Sequence, residues 1–323
     1  MIHIVGMMME TPLITCIFGA LILTPITYFM IDSIKKILFL GSLNDDYLSN
    51  LVLDLSSTVD KYKLELYRYS PSNDQNDISG VKQVKEDQIT DMDLIVSIGG
   101  DGTMLKSSKL ASKHNVPITG INKGRLGFLT DINPDLVSAA LKEIIQGEFQ
   151  TESRILLDVK ILNKDKESFI GHAINDLVIN KTKTGRMINV LTSIDGNYVN
   201  SNEGDGYIVS TPTGSTAYSL SCGGPIINPN SDTFLLVPIA PHTLTNRPMV
   251  ISSTCEIKLE FTEQNDDSIE ISLDGEIISE ISGRDCIIIS KSDKRVKFIH
   301  PNHYDYYETL RSKLFWGHDK RNA

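Results

Sequence analysis

Cysteine is scarce in this sequence. Cys16, Cys222, Cys255 and Cys286 are the only 4 in 323 residues, and they lie too far apart to make a paired zinc spacing or a disulfide framework. A reducing compartment, the cytoplasm, is the expected home. An excess of positive charge is also missing. Asp and Glu number 41 against 31 Lys and Arg, a formal net charge of −10, which excludes a nucleic-acid surface because such a surface needs clustered cations to displace counterions. Phosphate-bearing small ligands stay open, since backbone N–H groups and a few cations hold them whatever the global charge. The chain has no internal repeat and no low-complexity segment. With 41% hydrophobic and 22% charged residues it has the composition of globular domains, and its length is about twice that of one domain.

Charge of either sign is absent from Thr11 to Ile31, a run of 21 residues and long enough to cross a bilayer. Pro12 and Pro25 interrupt it, and no basic n-region precedes it. Met30-Ile31-Asp32-Ser33-Ile34-Lys35-Lys36 reads as a natural start just before the first globular strand. Residues 1–33 are therefore expected to be an extension left by a mis-set translation start, or a disposable one, rather than a membrane anchor.

From Ile34 onward short apolar runs alternate with helical periodicity, the pattern of α/β layering on a mostly parallel sheet. Ile37 to Leu40 ends at Gly41 as a buried strand, Asp46 to Tyr62 carries Leu48, Leu51, Leu55 and Val59 near helical spacing, and Leu64 and Leu66 alternate as in a strand. Ser70 to Asn76 reads as a loop. Leu94 to Ile98 is a continuous apolar run that predicts a central strand, Met104 to His114 a helix, and Val116 to Ile121 a strand ending at Asn122. Asn133-Pro134 and Gly147 suit the two ends of a helix over Pro134–Gln146. From about Thr151 to Ile299 the runs become β-like, with Asp195-Gly196 as a hairpin turn, and Tyr304 to Trp316 turns helical again.

Gly99-Gly100-Asp101-Gly102-Thr103 falls where a strand ends and a helix begins, the place where a parallel sheet presents ligands. Glycines there let a backbone approach a phosphate, and the helix offers unpaired N–H groups to an anion. A carboxylate among them would repel phosphate, so Asp101 is expected to accept a proton from an attacking hydroxyl or to hold a magnesium ion that bridges phosphates. The plain alternative is a tight turn with Asp101 as N-cap.

Three further stretches bear on the acceptor. Asn122 to Thr130 reads as a ligand-facing loop, with Phe128 either a stacking platform for a base or a core anchor. Asn175 and Asp176 lie in an apolar strand, where two polar groups are costly unless a ligand satisfies them or a bulge exposes them at the sheet edge. Gly204 to Pro225 empties a strand into a run of small residues with 6 hydroxyls between Ser210 and Ser219 besides that of Tyr218, a density that suits a phosphate- and ribose-rich ligand.

Gly99 to Thr103 is similar to the signature shared by NAD kinases, diacylglycerol and sphingosine kinases and, more distantly, phosphofructokinases. Taken in order with Ile121–Thr130, Ala173–Ile179, Gly204–Pro225, His300-Pro301 and Leu310–Gly317, it resembles the bacterial NAD kinases over roughly Ile34 to Gly317. That resemblance implies a soluble enzyme that phosphorylates the adenosine ribose 2′-hydroxyl of NAD to give NADP. Its donor would be ATP carried with a divalent metal ion, magnesium, or inorganic polyphosphate, with no metal held by the protein alone, and it would form a homodimer or homotetramer. It implies an α/β N-terminal domain with a mostly parallel Rossmann-like sheet (34–150), a mainly β domain that binds NAD (151–300), and a C-terminal helix in 301–323 that returns to the first domain.

By the same resemblance Asp101 is the proton acceptor with Gly102 beside it in the dinucleotide site. Asn175 and Asp176 match the NAD-binding pair, often Asn-Glu in the family, and Asp205 matches a carboxylate that reaches the nicotinamide end, sometimes across a subunit interface. Thr216, Ala217, Tyr218, Ser219, Leu220 and Ser221 match the loop around the adenosine, Phe128 a wall of that pocket, and Arg186 a variable contact. Glu203 and Glu276 depart from the basic residue and the Gln found in some relatives, which bears on local contacts and on NAD against NADH. Gly99, Gly100, Thr103, Lys106 and Arg247 are candidates for the donor phosphates, with Lys123 and Arg125 as further cations. His242 reads as structural. A lipid kinase would need an apolar acceptor cavity in place of Asn175-Asp176, and a non-catalytic dinucleotide sensor would have little use for Asp101.

Overall fold

Five short runs build the parallel part of the fold: β1 (Lys36–Gly41), β2 (Glu65–Tyr69), β3 (Val81–Val84), β4 (Leu94–Gly99) and β5 (Ile118–Asn122). They pair in the order β5-β4-β1-β2-β3, all parallel. The chain therefore reverses its direction of winding between β1 and β4, and a ligand crevice is expected outside the carboxyl ends of those two strands. β4 is buried at every position, which is why it reads as an unbroken apolar run rather than an alternating one. α1 (Asp45–Tyr62) covers the sheet with Leu48, Leu51 and Leu55. α2 (Asp101–His114) follows β4 directly and ends on Asn115 in the left-handed conformation. α3 (Val137–Ile145) is entered through a single 3₁₀ turn, Pro134–Leu136, whose Asn133 cap accepts the Asp135 N–H at 3.0 Å.

The structure, a computed structural model, describes residues 34–41, 45–70, 77–124, 127–163, 166–182, 187–262 and 269–316. All of them belong to one compact unit, Ile31–Ala323. The apolar run of residues 11–31 and most of the polar loop after Ser70 lie outside the described residues, as do Arg125 and Arg186. Among the described residues no helix is long and apolar enough to cross a membrane.

Beyond residue 148 the pairing turns antiparallel. The strands are β6 (Phe149–Asn163), β7 (Lys166–Ala173), β8 (Asp176–Lys181), β9 (Ile188–Ile194), β10 (Asn197–Gly204) and β11 (Gly206–Ser210), then, after the short helix α4 (Tyr218–Ser221), β12 (Thr233–Ile239), β13 (Met249–Ser252), β14 (Ile257–Phe261), β15 (Ile269–Leu273), β16 (Glu276–Ile281) and β17 (Cys286–Pro301). Long strand β17 pairs antiparallel with β6 and β14, and its end enters the parallel part beside β5 at Phe298 and Ile118. One sheet of 11 described strands thus runs from the α/β part into the β part. A second sheet, β13-β12-β11-β8-β15-β16, shares with it a core that includes Leu157, Val190, Tyr207, Phe234, Leu259 and Leu273.

Asp195 and Gly196, both at positive φ, turn β9 into β10 as the sequence predicts. The C-terminal helix, α5 (Tyr306–Leu314), starts two residues later than its apolar periodicity suggests, because the Asp305 side chain caps it by accepting the Tyr307 N–H at 2.8 Å. The preceding turn lies against the first part of the fold, with His303 at 4.0 Å from Glu143 of α3. The Tyr306 hydroxyl reaches the Ile227 carbonyl at 3.4 Å.

Candidate functional site

Asp101 occupies the first position of α2, after an extended Gly100, at the point where the sheet reverses its winding. Its carboxylate is fixed by the loop that leaves β5: Oδ2 accepts the Phe128 N–H at 2.9 Å and Oδ1 the Leu129 N–H at 3.1 Å. Each oxygen keeps a second lone pair for another donor. Gly127 is required by this approach, since a Cβ there would overlap Asp101 Oδ1. Gly100 and Gly102 are exposed with open space where a Cβ would stand. The N–H groups of the first helical turn have no acceptor within the helix and carry the positive end of its dipole, so an anion can lie beside Asp101 without a cation to hold it.

Asn175 and Asp176 stand where β8 begins, and a residue the sequence did not single out organises them. Asp274, in the turn between β15 and β16, accepts the N–H groups of Ile174 at 3.1 Å, Asn175 at 2.7 Å and Asp176 at 3.3 Å. Its own N–H donates to the Asp176 carbonyl at 3.0 Å. From α2, the ammonium of Lys109 lies 3.2 Å from Asp274 and 3.9 Å from Glu276. One buried carboxylate thus ties the helix that starts at Asp101 to the strand that starts at Asp176. Met104 of α2, Leu129 of the loop and Ile174 share a hydrophobic cluster as well. Burial, and secondly the Asp274 carboxylate, pushes the Asp176 carboxyl up to about 7, so it holds a proton far above the usual carboxylate range. Only the Asp-Gly pair at 274 and 275, a hairpin signal like that at 195 and 196, marks the turn in the sequence.

The hydroxyl-rich stretch is more structural than its composition suggests. Ser210 and Thr211 donate to the carbonyls of Asn175 and Ile174 at 3.1 and 2.5 Å. Ser215 donates to Pro212 at 2.6 Å, and Ser219 to Gly214 at 2.9 Å. These four are buried, and their bonds hold the loop against the start of β8, where Gly214 leaves no room for a Cβ over the Asn175 carbonyl oxygen. Thr216, Ala217, Tyr218, Leu220 and Ser221 are half-buried or exposed and so remain open to a ligand. Phe128 is half-buried beside Asp101, and Thr103 half-buried within the first turn of α2. Asp205 is ion-paired with Lys181 and about half-exposed.

Several of the expected cations have protein partners. Lys106 lies 3.3 Å from Glu276, Lys123 stands over the Tyr47 ring at 5.0 Å, and Arg247 donates to its own loop's Leu244 and Asn246 carbonyls. His242 is exposed, with its backbone N–H on the Glu203 carbonyl. Among the described residues no three His, Cys, Asp or Glu side chains converge as a metal cage. A hard divalent ion that keeps waters and binds mainly through substrate phosphates fits such a donor set, with Asp101 the carboxylate nearest the anion position at the helix start.

Residues 48–149 match the ATP-NAD kinase N-terminal domain and residues 174–301 the ATP-NAD kinase C-terminal domain. The chain is 42% identical over 242 residues to the NAD kinase of Photorhabdus laumondii, covering 74% of this chain and 82% of that protein. Among solved structures, an NAD kinase from Archaeoglobus fulgidus in complex with ATP superposes with a TM-score of 0.62 at 25% identity, over 87% of this chain and 98% of the other. Yeast NADH kinase complexed with NADH shares the fold with a TM-score of 0.79 at 22% identity, over 90% of each chain. The chain belongs to the ATP-NAD kinase family.

Proposed function

We propose that this protein transfers the γ-phosphoryl group of ATP to the 2′-hydroxyl of the adenosine ribose of NAD, giving NADP, with Asp101 as the base. The observation that carries the reading is the Asp101 carboxylate itself, fixed by two N–H groups at the start of α2 with a lone pair free on each oxygen. In this reading the ribose hydroxyl donates to Asp101 and passes its proton there as its oxygen bonds to the γ-phosphorus and the bond to ADP breaks. The first-turn N–H groups of α2 hold phosphate oxygens, and Gly100 and Gly102 let them approach. Asn175, Asp176 and the open part of the loop from Thr216 to Ser221 hold the dinucleotide, with Phe128 along one wall. Positioning and charge neutralisation supply most of the acceleration in phosphoryl transfer. A divalent ion, magnesium, would enter with the ATP phosphates and supply part of that neutralisation.

The remaining assignments belong to the same proposal. Gly99 and Thr103 flank the donor phosphates at the start of α2, and Lys106 and Arg247 join them by leaving Glu276 and the loop carbonyls when nucleotide binds. Asp205 and Arg186 complete the dinucleotide site, and Ser219 shapes its loop from behind through the bond to Gly214. We divide the chain at 34–150, 151–300 and 301–323, a division supported by the change from parallel to antiparallel pairing, and expect a cytoplasmic homodimer or homotetramer.

The test is a coupled assay of NADP formation with NAD or NADH as acceptor and ATP-magnesium or polyphosphate as donor. NADP from NAD and ATP is the expected result. Saturable NAD binding with no NADP from either donor would make the protein a dinucleotide sensor instead.

A further inference from the structure

We infer that His300, as an imidazolium, is a positioning residue for Asp101, acting through Asp131 on the loop segment that holds the base; this rests on the reading of Asp101 given above. The segment 127–131 leaves its two N–H donors on Asp101, and two residues past Leu129 its direction is set by a buried ion pair. His300 Nδ1 lies 2.6 Å from Asp131 Oδ2. On the other side of the ring, Nε2 lies 3.4 Å from Glu152 Oε2. Asp131 takes the hydrogen bond of Nδ1 and Glu152 stands within ion-pair distance of Nε2, so both carboxylates favour the charged imidazolium over the neutral ring.

The surrounding charges point the same way. Asp131 comes from the segment after β5, Glu152 and Arg154 from β6, and among the described residues these are the charged groups paired with the ring or with its partners. Glu152 Oε2 takes both Nε and Nη2 of Arg154, at 3.0 and 2.7 Å, and the guanidinium lies 4.2 Å over the Phe298 ring. Two carboxylates and one guanidinium leave a net negative charge in a buried site, which a protonated His300 cancels and a neutral one does not. Tyr304 stacks on the imidazole with ring centres 4.0 Å apart, which holds its plane.

Downstream of Asp131 the chain is pinned to β5 by the Ile132 N–H on the Gly120 carbonyl at 3.2 Å and the Asn122 N–H on the Ile132 carbonyl at 3.0 Å. Beside the buried Leu129 side chain, the Asp131 side chain is thus a tie on how residues 127–130 cross toward Asp101. Without it the Phe128 and Leu129 N–H groups can swing off the carboxylate, while Asn175, Asp176 and the loop from Thr216 to Ser221 keep their places.

The experiment compares His300→Gln, which keeps one donor and loses the charge, with the milder Asp131→Asn, the two combined, and Asp101→Asn. Each is measured for turnover and KM with NAD and ATP, and for hydrogen exchange of the peptide that carries residues 127–131. For His300→Gln the inference expects kcat to fall about tenfold or more, with KM for NAD changed by less than about threefold, and exchange in that peptide alone to quicken. The double variant should be no slower than the worse single one, since both act through one tie. Losses that multiply in the double variant, or kcat within about twofold of wild type with unchanged exchange, would overturn it. Asp101→Asn separates the two readings. If that variant is inactive while His300→Gln is normal in turnover and exchange, the positioning role alone fails; if Asp101→Asn is fully active, the base reading fails and takes this one with it.

Discussion

At the scale of single residues, the site depends on carboxylates whose surroundings set them apart. Asp101 is half-exposed at a helix start, whereas Asp176 is 4% exposed and held at about 7 by burial and by Asp274. Because its folded value lies above the unfolded one, Asp176 contributes stability that is present at acid pH and lost as pH rises from about 4 through about 7. Asp176→Asn should therefore raise the stability of the unliganded protein relative to wild type at pH 8 more than at pH 5, read from urea unfolding at both. A difference that does not change between the two pH values contradicts the assignment. Gly127 gives a second residue-scale prediction. Gly127→Ala pushes a methyl group into the Asp101 carboxylate and against Thr130 Oγ1, and should lower kcat by roughly a hundredfold while costing about 1–3 kcal/mol in chemical unfolding.

Elements explain which parts of the site could be read in advance. The strand-to-helix step at Gly99 and Asp101 is local, so its glycines and apolar run announce it. The turn at Asp274 is not, because its carboxylate serves N–H groups 98 to 100 residues earlier in the chain. Nothing near Asp274 betrays those partners beyond a turn-forming Asp-Gly pair. The hydroxyl run has a second task that its composition does not show: Ser210, Thr211, Ser215 and Ser219 donate their hydroxyls to backbone carbonyls, as small hydroxyl side chains do when they fold a loop. Removal of the Asp274 carboxylate leaves buried donors unpaired, so Asp274→Ala should cost about 3 kcal/mol in chemical unfolding. Asp274→Asn should cost less and should also lower the Asp176 value, since the neighbouring charge that raises it is gone. An unchanged Asp176 titration by carboxylate NMR in that variant would contradict the coupling.

On the scale of the whole molecule, periodicity revealed an α/β part followed by a β part, because parallel central strands are apolar throughout and antiparallel ones alternate. It did not reveal that one sheet spans both, since the pairing of β17 with β5 joins residues 118 and 298, a contact no local pattern records. The same return of β17 carries His300 to Asp131 and Glu152. Burial opposes the charged form of Glu152, but His300 and Arg154 hold its carboxyl down at about 2. Its contribution, roughly 3 kcal/mol, is present above the ordinary carboxylate value and lost as pH falls from about 4.5 toward 2. Glu152→Gln should therefore destabilise the protein at pH 6 and much less near pH 3, as unfolding curves at the two values would reveal. The most direct test of the reaction itself is the turnover of Asp101→Asn with NAD and ATP-magnesium, alongside its dissociation constant for NAD. A kcat lower by roughly a hundredfold to ten-thousandfold with NAD still bound is the predicted result, and near-normal turnover with NAD bound would contradict Asp101 as the base.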